Sequence, residues 1–287
     1  MIAFQAQGGL GNQLFQYAAA RRLALLHATE LVVDPYWFDH CRPDETPRPI
    51  ELEKFAVDMR VATAAEQERW RPYRSRFGRF VQPFLPLKLF RESGFGVNHS
   101  VLKAPQNSYL FGFWQSSVYF QDIRSTLLND FVPLNDPSDS DREVLSLISR
   151  SNAVSVHVRR GDYVSLQSAS AYHGICSLDY YRAALQYVVD RVADPVFFVF
   201  SDDPDWTSEN LRFDHTTHYI RHNSADTAFQ DLRLMSKCNH HIIANSSFSW
   251  WGAWLSDENQ GLVIAPDQWF AGGRPTPDLL PADWVRL

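Results

Sequence analysis

Two adjacent arginines stand where a buried strand is predicted to end. The apolar run 153–158 closes on a polar group made of His157, Arg159, Arg160, Gly161 and Asp162. Ligands bind at the carboxyl ends of strands in open α/β sheets, and guanidinium groups match phosphate oxygens with paired hydrogen bonds. With no matching run of acids beside them, the arginines predict a diphosphate site. The structural alternative is an ion pair between Asp162 and one arginine.

A pair of acids follows a second apolar run, residues 195–200. Asp202 and Asp203 stand directly before Pro204. A carboxylate at this place can accept paired N–H donors from the edge of a guanine base. The alternative is a helix N-cap, because Asp is favoured just before a helix and Pro in its first turn. One acid can cap while its neighbour binds the base.

Small hydroxyl residues and aromatic residues alternate in the segment 245–252. Ser247, Phe248 and Ser249 stand between a predicted strand and a predicted helix. The first N–H groups of a helix, together with its dipole, form a site for anions. Trp250 and Trp251 follow, and they either stack on a sugar or base or pack in the core.

The glycine-rich start, Gly8-Gly9-Leu10-Gly11-Asn12, suggests a dinucleotide-binding turn. Leu14 occupies the place of the third glycine of that fingerprint, so a nicotinamide oxidoreductase is only weakly indicated. The other interpretation is a tight turn whose backbone and Asn12 face a cleft between two domains, where Asn12 is predicted to contact the donor.

Metal ligands are not evident in the sequence. His240 and His241 are neighbours in a predicted strand, so their side chains point to opposite faces. The three cysteines form no CxxC pair, which favours reduced thiols over a disulfide frame or zinc site. We therefore predict no metal and no cofactor.

The elements that position these residues alternate as in a doubly wound parallel sheet. In the first half, strand 2–7, helix 12–27 and strand 31–34 form a β-turn-α-β unit. A break at 133–141 separates it from the second half, which carries strands 153–158, 195–200, 241–244 and 262–265 and helices 178–192, 226–238 and 249–255. The prediction is α/β with two domains, 1–135 and 136–287.

Composition narrows the class of protein further. Apolar residues make up 45% of the chain and charged residues 21%, as in packed globular proteins. The net charge of −6 argues against a general nucleic-acid binder. The sequence has neither a long apolar run nor a signal peptide, so we expect a soluble cytoplasmic protein.

Taken together and in this order, four segments resemble the signature of the bacterial α-1,2-fucosyltransferase family. They are GGLGNQLFQYA from Gly8, HVRRGDY from His157, FSDD from Phe200 and NSSFSWWGAWL from Asn245. The resemblance covers essentially the whole chain and is weakest between about residues 39 and 110. It implies a GT-B fold, with two facing Rossmann-like domains and a cleft between them. The N-terminal domain would take the acceptor and the C-terminal domain GDP-fucose.

The resemblance also implies the reaction, an inverting and metal-independent transfer of L-fucose to the 2-hydroxyl of a terminal β-galactoside in an O-antigen or lactose-type glycan. Arg159 would hold the β-phosphate of the leaving GDP, and Arg160 would support it. His157 and Asp202 would contact guanosine, and the turn 247–251 would add phosphate contacts. The alternative is a non-catalytic module that binds a GDP-sugar or glycan.

Two points stay open at this level. The general base is Asp162, Asp34, His40 or His173, or the transition state is dissociative enough to need no strong base. The segment 70–91 touches an anionic membrane surface at the cytoplasmic face, or it is a helical hairpin or an acceptor-side flap. Its basic and aromatic residues are Arg71, Arg74, Arg76, Arg79, Lys88, Arg91, Phe77, Phe80 and Phe84.

Overall fold

The computed structural model describes residues 1–40, 48–74, 86–160, 174–256 and 261–287. They form two compact units. The N-terminal unit comprises residues 1–134 and 276–279, and the C-terminal unit comprises 135–275 and 280–287. The predicted division lay one residue later, and it assigned the segment 276–279 to the C-terminal domain.

The N-terminal unit contains a five-stranded sheet in the order β3-β2-β1-β5-β4, with every neighbouring pair parallel. Its strands are β1 (Ile2–Gln5), β2 (Leu31–Asp34), β3 (Arg60–Val61), β4 (Lys88–Arg91) and β5 (Ser108–Phe111). Its helices are α1 (Leu10–Leu26), α2 (Tyr36–Asp39), α3 (Ala64–Arg74) and α4 (Arg124–Asp130).

The apolar runs of β1 and β2 are buried along their whole length, as expected for parallel strands covered on both faces. The chain leaves β1 through Gly8, whose φ of +77° lies in the left-handed region that favours glycine. A Cβ at Gly8 would also lie 2.7 Å from the side-chain nitrogen of Asn12. The glycine therefore allows a sharp entry into α1.

The C-terminal unit contains a six-stranded parallel sheet in the order β11-β10-β9-β6-β7-β8. Its strands are β6 (Asn152–Val158), β7 (Pro195–Ser201), β8 (Thr217–Ile220), β9 (His240–Ile242), β10 (Val263–Ala265) and β11 (Val285–Arg286). Its helices are α5 (Asp139–Ile148), α6 (Leu178–Val189), α7 (Pro204–Asn210), α8 (Ala228–Ser236) and α9 (Ser247–Trp254).

Alternation along β6 separates the core from the candidate site. Val154, Val156 and Val158 join a buried cluster that includes Tyr181 and Val188 of α6. Side chains of a strand alternate between its faces, so Ser155 and His157 project from the opposite face. There the Ser155 hydroxyl lies 2.8 Å from Nδ1 of His241 in β9.

Each sheet reverses its strand order at one point. In the N-terminal unit, β2 and β3 extend from one side of β1 while β5 and β4 lie on the other. In the C-terminal unit, β7 and β8 lie on one side of β6 while β9, β10 and β11 lie on the other. The crevice at such a switch point, outside the carboxyl ends of the strands, is where α/β proteins bind ligands. The β1/β5 and β6/β9 boundaries are therefore the expected positions for ligands.

The two parallel sheets, each flanked by helices, confirm the predicted α/β class. Among the helices in the described ranges, none combines the length and apolarity needed to cross a bilayer.

Candidate active site

Asp202 joins the carboxyl ends of β6 and β7. Its Oδ2 lies 2.9 Å from Nη1 of Arg159, and its Oδ1 accepts the backbone N–H of Arg160 at 2.8 Å. About a quarter of each side chain of the Arg159–Asp202 pair is exposed. Arg160 and Asp202 are 42 positions apart in sequence and meet because β6 and β7 pair in parallel register. The structure thus brings together the first two motifs.

Asp203 has a separate task, because it caps α7. Its side chain accepts the Trp206 N–H at 3.3 Å, so the capping alternative applies to this acid and leaves Asp202 facing the arginines. The other carboxylate oxygen lies 3.5 Å from Nε of Arg160. The Arg160 guanidinium also lies 3.3 Å from the centre of the Trp206 ring. This cation–π contact fixes the plane of the guanidinium.

The arginine pair therefore has acidic partners, which corrects the prediction that no acids match it. Asp202 and Asp203 balance the two guanidinium charges within the folded unit. An incoming diphosphate must compete with the Asp202 carboxylate for Arg159. Asp162 lies outside the described residues, so its ion pair and its role as a base stay predictions.

His157 lies on the face of β6 that looks toward α9. Its ring is 5% exposed and packs against the ring of Phe248, with 5.6 Å between the ring centres. Burial lowers the pKa of His157 to about 4, with Asp202 opposing the shift and Arg159 adding to it. The imidazole is thus neutral near pH 7. Its Nδ1 is buried with no hydrogen-bond partner in the part of the chain described here.

The turn after β9 forms the third side of the site. Ser246 caps α9, since its hydroxyl accepts the N–H of Phe248 at 3.3 Å. Ser247 and Phe248 are half-buried, so the first turn of the helix is partly accessible. Ser249 is 1% exposed, and its hydroxyl donates back to the Ser246 carbonyl at 3.3 Å. The Ser249 hydroxyl therefore supports the turn, and a donor contact stays a prediction only for its backbone.

Trp250 lies inside an aromatic cluster and has no exposed surface. Its ring centre is 5.1 Å from that of Trp251, 6.0 Å from Trp254 and 5.5 Å from Trp284. The core alternative therefore describes this residue, whereas the donor contact predicted for it does not fit this conformation. The cluster anchors α9 so that its N-terminus is held at the sheet edge.

Two tyrosines of α6 support the site, and neither was predicted from the sequence. The Tyr181 hydroxyl donates to the His157 carbonyl at 3.1 Å. The Tyr180 hydroxyl donates to the Ile243 carbonyl at 2.6 Å. They link α6 to the ends of β6 and β9, the strands of the switch point. An amphipathic helix pattern does not reveal such roles, because it shows only which face is buried.

Asn12 belongs to the first turn of α1 in the N-terminal unit. Its side-chain oxygen accepts a hydrogen bond from Nε2 of Gln115 at 2.7 Å. This contact joins the turn after β1 to the segment after β5. The predicted donor contact of Asn12 stays a prediction.

Asp34 is a structural residue, which corrects its candidacy as the base. It is fully buried, and its Oδ2 accepts hydrogen bonds from Arg74 at 2.7 Å and from the Tyr109 hydroxyl at 2.5 Å. His40 is exposed and stacks on Tyr36, with 3.9 Å between the ring centres. His173 lies outside the described residues. A base thus stays unassigned.

The described basic residues of the segment 70–91 contact other parts of the protein. Arg74 pairs with Asp34, and Arg71 lies 3.4 Å from Glu68. Arg91 donates to the Tyr73 carbonyl at 2.6 Å, and Lys88 lies over the Phe90 ring. These contacts favour the structural alternative for this part. The rest, including Arg76, Arg79, Phe77, Phe80 and Phe84, lies outside the described residues.

Among the residues described, no group of three His, Cys, Asp or Glu side chains is placed to hold a metal ion.

The model of glycosyl transferase family 11 matches residues 84–286, which include the three motifs of the C-terminal unit. The chain belongs to this family. Two Escherichia coli proteins are similar over nearly their full lengths. An O-antigen biosynthesis glycosyltransferase, WbnK, is 34% identical and covers 98% of both chains. An α-1,2-colitosyltransferase is 33% identical, covering 100% of this chain and 99% of its own.

A mammalian relative is less similar to this chain. The galactoside α-(1,2)-fucosyltransferase 1 of Mus musculus is 24% identical, over 98% of this chain and 71% of its own. Among solved structures, a mutant of Arabidopsis thaliana FUT1 in complex with GDP matches with a TM-score of 0.53 at 12% identity, covering 99% of this chain and 75% of that chain. The family 11 chain has the GT-B fold.

Proposed function

We propose that this family 11 glycosyltransferase moves L-fucose from GDP-fucose to the 2-hydroxyl of a terminal β-galactoside, with inversion and without a metal ion. The observation that carries the proposal is the Arg159–Asp202 arrangement at the carboxyl edge of β6 and β7. It combines a phosphate-binding group with an acceptor for the N–H groups of guanine. Two relatives named for α-1,2 transfer support the regiochemistry, and one of them is named for galactosides.

Donor binding replaces one set of charge-assisted hydrogen bonds with another. The diphosphate takes the place of the Asp202 carboxylate on Arg159, and Asp202 turns its freed oxygen to the guanine N–H groups. Both ions keep a partner throughout, so neither charge is left bare in a half-buried place. Neutral His157 adds a hydrogen-bonding group without a further charge that would need a partner.

In the transfer step, the bond between the fucose C1 and the β-phosphate oxygen breaks with its electron pair going to GDP. A bond forms between C1 and the acceptor O2, and the proton of the acceptor hydroxyl passes to water, so that GDP and a proton are both released. Negative charge grows on the diphosphate as its bond breaks. A fixed Arg159 stabilises that charge without rearrangement, a task that a metal ion performs in other transferases. The proposed reaction is therefore insensitive to chelators.

The choice of fucose over colitose concerns one hydroxyl group, since colitose is the 3-deoxy form of fucose. A site that hydrogen-bonds the 3-hydroxyl discriminates strongly against a sugar that lacks it. We propose fucose as the donor sugar. Competition between GDP-fucose and GDP-colitose decides this point, and preferred use of GDP-colitose would change the donor while keeping the reaction class.

The central experiment has two stages. Thermal shift with GDP, UDP, GDP-mannose and NADH identifies the nucleotide, because a ligand at a hundredfold excess over its Kd stabilises the fold by about 2.7 kcal/mol. GDP release from GDP-fucose is then measured with and without lactose, in the presence of EDTA. Lactose-dependent release supports the proposal. Stabilisation by NADH instead of GDP would overturn it, and GDP binding without release would favour a non-catalytic module.

We also propose a cytoplasmic location, where nucleotide sugars are made, with peripheral attachment to the inner membrane surface. Sedimentation with anionic and neutral vesicles tests the attachment. Recovery of the protein in the supernatant with both kinds of vesicle would exclude it.

A further inference from the structure

A cavity in the N-terminal unit has a lining that suits a neutral ligand. We call it the Glu92 cavity. Its walls contain one carboxylate, one amide, two hydroxyls and three aromatic rings, supplied by Glu92, Gln115, Ser116, Phe95, Phe113 and Tyr119. The described residues that line it include no Lys, Arg or His. A diphosphate would meet only negative charge here, so the cavity does not suit a nucleotide.

The cavity lies beside the switch point of its sheet. Glu92 directly follows β4, and Phe113 and Gln115 follow β5. The hydrogen bond from Gln115 to Asn12 spans the boundary between β5 and β1, where the strand order reverses. This is the position at which open parallel sheets bind ligands. The segment 276–279 completes the wall, because Leu279 lines the cavity.

The loop after β5 is wrapped around the Glu92 carboxylate. Oε2 accepts the Phe113 N–H at 2.6 Å, and Oε1 accepts the Trp114 N–H at 2.9 Å. Any side chain at Gly112 would collide with that of Glu92. Trp114 is fully buried and has a φ of +56°, a strained value for a residue other than glycine. Strain of this kind persists where the surroundings hold a loop in one shape.

The lining offers the kinds of group that a pyranose can contact. Each carboxylate oxygen of Glu92 has a second lone pair and can accept a sugar hydroxyl. Burial raises the pKa of Glu92, while the two backbone N–H groups act against that rise. The Phe113 ring is 40% exposed and offers an apolar face to the C–H side of a sugar ring. Pockets of this composition orient a ligand with few polar groups on an apolar wall.

We propose that the Glu92 cavity is a subsite for a neutral pyranose of the acceptor glycan, with Phe113 as the apolar platform and Glu92 accepting its hydroxyl groups. That the sugar belongs to an acceptor glycan rests on the proposed function. That the cavity binds a sugar rests on the cavity alone. Glu92 also holds the loop together, so its replacement would disturb both roles. Phe113 makes the cleaner test, because its ring is partly exposed.

The experiment compares Phe113→Ala with Leu26→Ala, a matched control at a 57% exposed apolar residue of the same unit. Loss of the platform is expected to raise the KM for lactose about tenfold, the cost of roughly 1.4 kcal/mol of aromatic contact. The GDP-induced thermal shift stays the same in both variants. The Leu26 variant keeps the wild-type KM.

Binding of methyl β-galactoside, followed by saturation-transfer NMR, gives a readout that needs no turnover. The wild type is expected to show transfer to the sugar, and Phe113→Ala to lose most of it. One outcome is that the wild type uses lactose as an acceptor while Phe113→Ala keeps the wild-type KM and NMR signal. In that case the proposed subsite is wrong and the proposed function stands. If no nucleotide is released but NMR shows Phe113-dependent sugar binding, the function fails and the subsite remains. Binding that does not depend on Phe113 overturns the inference.

Discussion

The two units share one architecture and differ in the chemistry at its binding edge. Both have a parallel sheet whose strand order reverses once, and both carry polar residues just beyond the carboxyl ends of a strand at that point and of the strand next to it. At the β6 end, guanidinium groups are paired with carboxylates. At the β4 and β5 ends, a single carboxylate lies among aromatic rings. The same topology can therefore serve an anionic nucleotide in one unit and a neutral sugar in the other, because the loops alone set the charge.

The largest expected effect concerns Arg159. Replacement by Ala removes the group that meets the charge of the leaving diphosphate, so kcat should fall about 10³-fold. Replacement by Lys should restore little, because the planar fork of donors is lost. Steady-state kinetics measure both. Arg182→Ala is the control, since Arg182 forms an exposed pair with Asp179 at 3.0 Å. Near-normal turnover in Arg159→Ala would contradict the proposal that the C-terminal unit binds the nucleotide through this arginine.

Asp202→Asn should separate base recognition from phosphate binding. The variant loses a charged acceptor for guanine N–H groups, so the Kd for GDP should rise about 10- to 100-fold, in line with roughly 1.5–3 kcal/mol for such a bond. The Kd for UDP, which we expect to bind more weakly than GDP, should change little. Calorimetry with both nucleotides measures the difference, with Asp179→Asn as the surface control. An equal loss for GDP and UDP would show that Asp202 acts only by holding Arg159.

Acid should destabilise the C-terminal unit through its buried histidines. Burial lowers the pKa of His157 to about 4 and of His241 to about 3. In the unfolded chain the two histidines bind protons near pH 6.5, whereas in the folded chain they stay neutral at that pH. Their contribution to the free energy of unfolding is therefore fully present above pH 6.5 and falls as the pH decreases toward 4. Asp231, whose pKa burial raises to about 6, acts in the opposite direction and offsets part of this loss.

Thermal unfolding between about pH 7.5 and about pH 5 measures this dependence. His241→Gln should flatten the curve, while His99→Gln, at an exposed position of the N-terminal unit, should leave it unchanged. A curve with the same slope in all three proteins would mean that the acid response arises elsewhere.

The smallest effect is that of salt. Raising ionic strength shortens the range of charge interactions, so the KM for GDP-fucose should rise by roughly threefold between 0.1 and 1 M salt. The KM for lactose should not follow, because its proposed subsite holds a neutral ligand. Kinetics with each substrate varied in turn test this contrast. If the KM values for GDP-fucose and lactose rose together, charge would not distinguish the binding edges of the two units.

Local patterns in the sequence predicted the elements and the motif positions well. The run 195–200 lies in β7, and the predicted strand 31–34 has the same bounds in the structure. Contacts between distant segments were not predictable in the same way. The pairing of Arg159 with Asp202 depends on the register of β6 and β7, and the burial of Asp34 depends on Arg74. A hydrophobic pattern shows which residues avoid water, but not which polar groups meet.

The Glu92 cavity was not predicted for a related reason. Its residues come from the segment 92–119 and from Leu279, and no single stretch carries a recognisable motif. Glu92 precedes a glycine-containing segment that looks like an ordinary loop. Only the strand order places these pieces around one space.

The return of residues 276–279 to the N-terminal unit limits how this protein can be divided. Asp278 accepts the Val97 N–H at 2.9 Å, so a stretch near the carboxyl terminus is hydrogen-bonded into the first half of the chain. A gene fragment that stops at residue 134 would encode a unit with one wall missing. Separate production of the halves therefore requires grafting those four residues back by a linker, and insertions near the carboxyl terminus can alter a site formed mostly by residues near position 100.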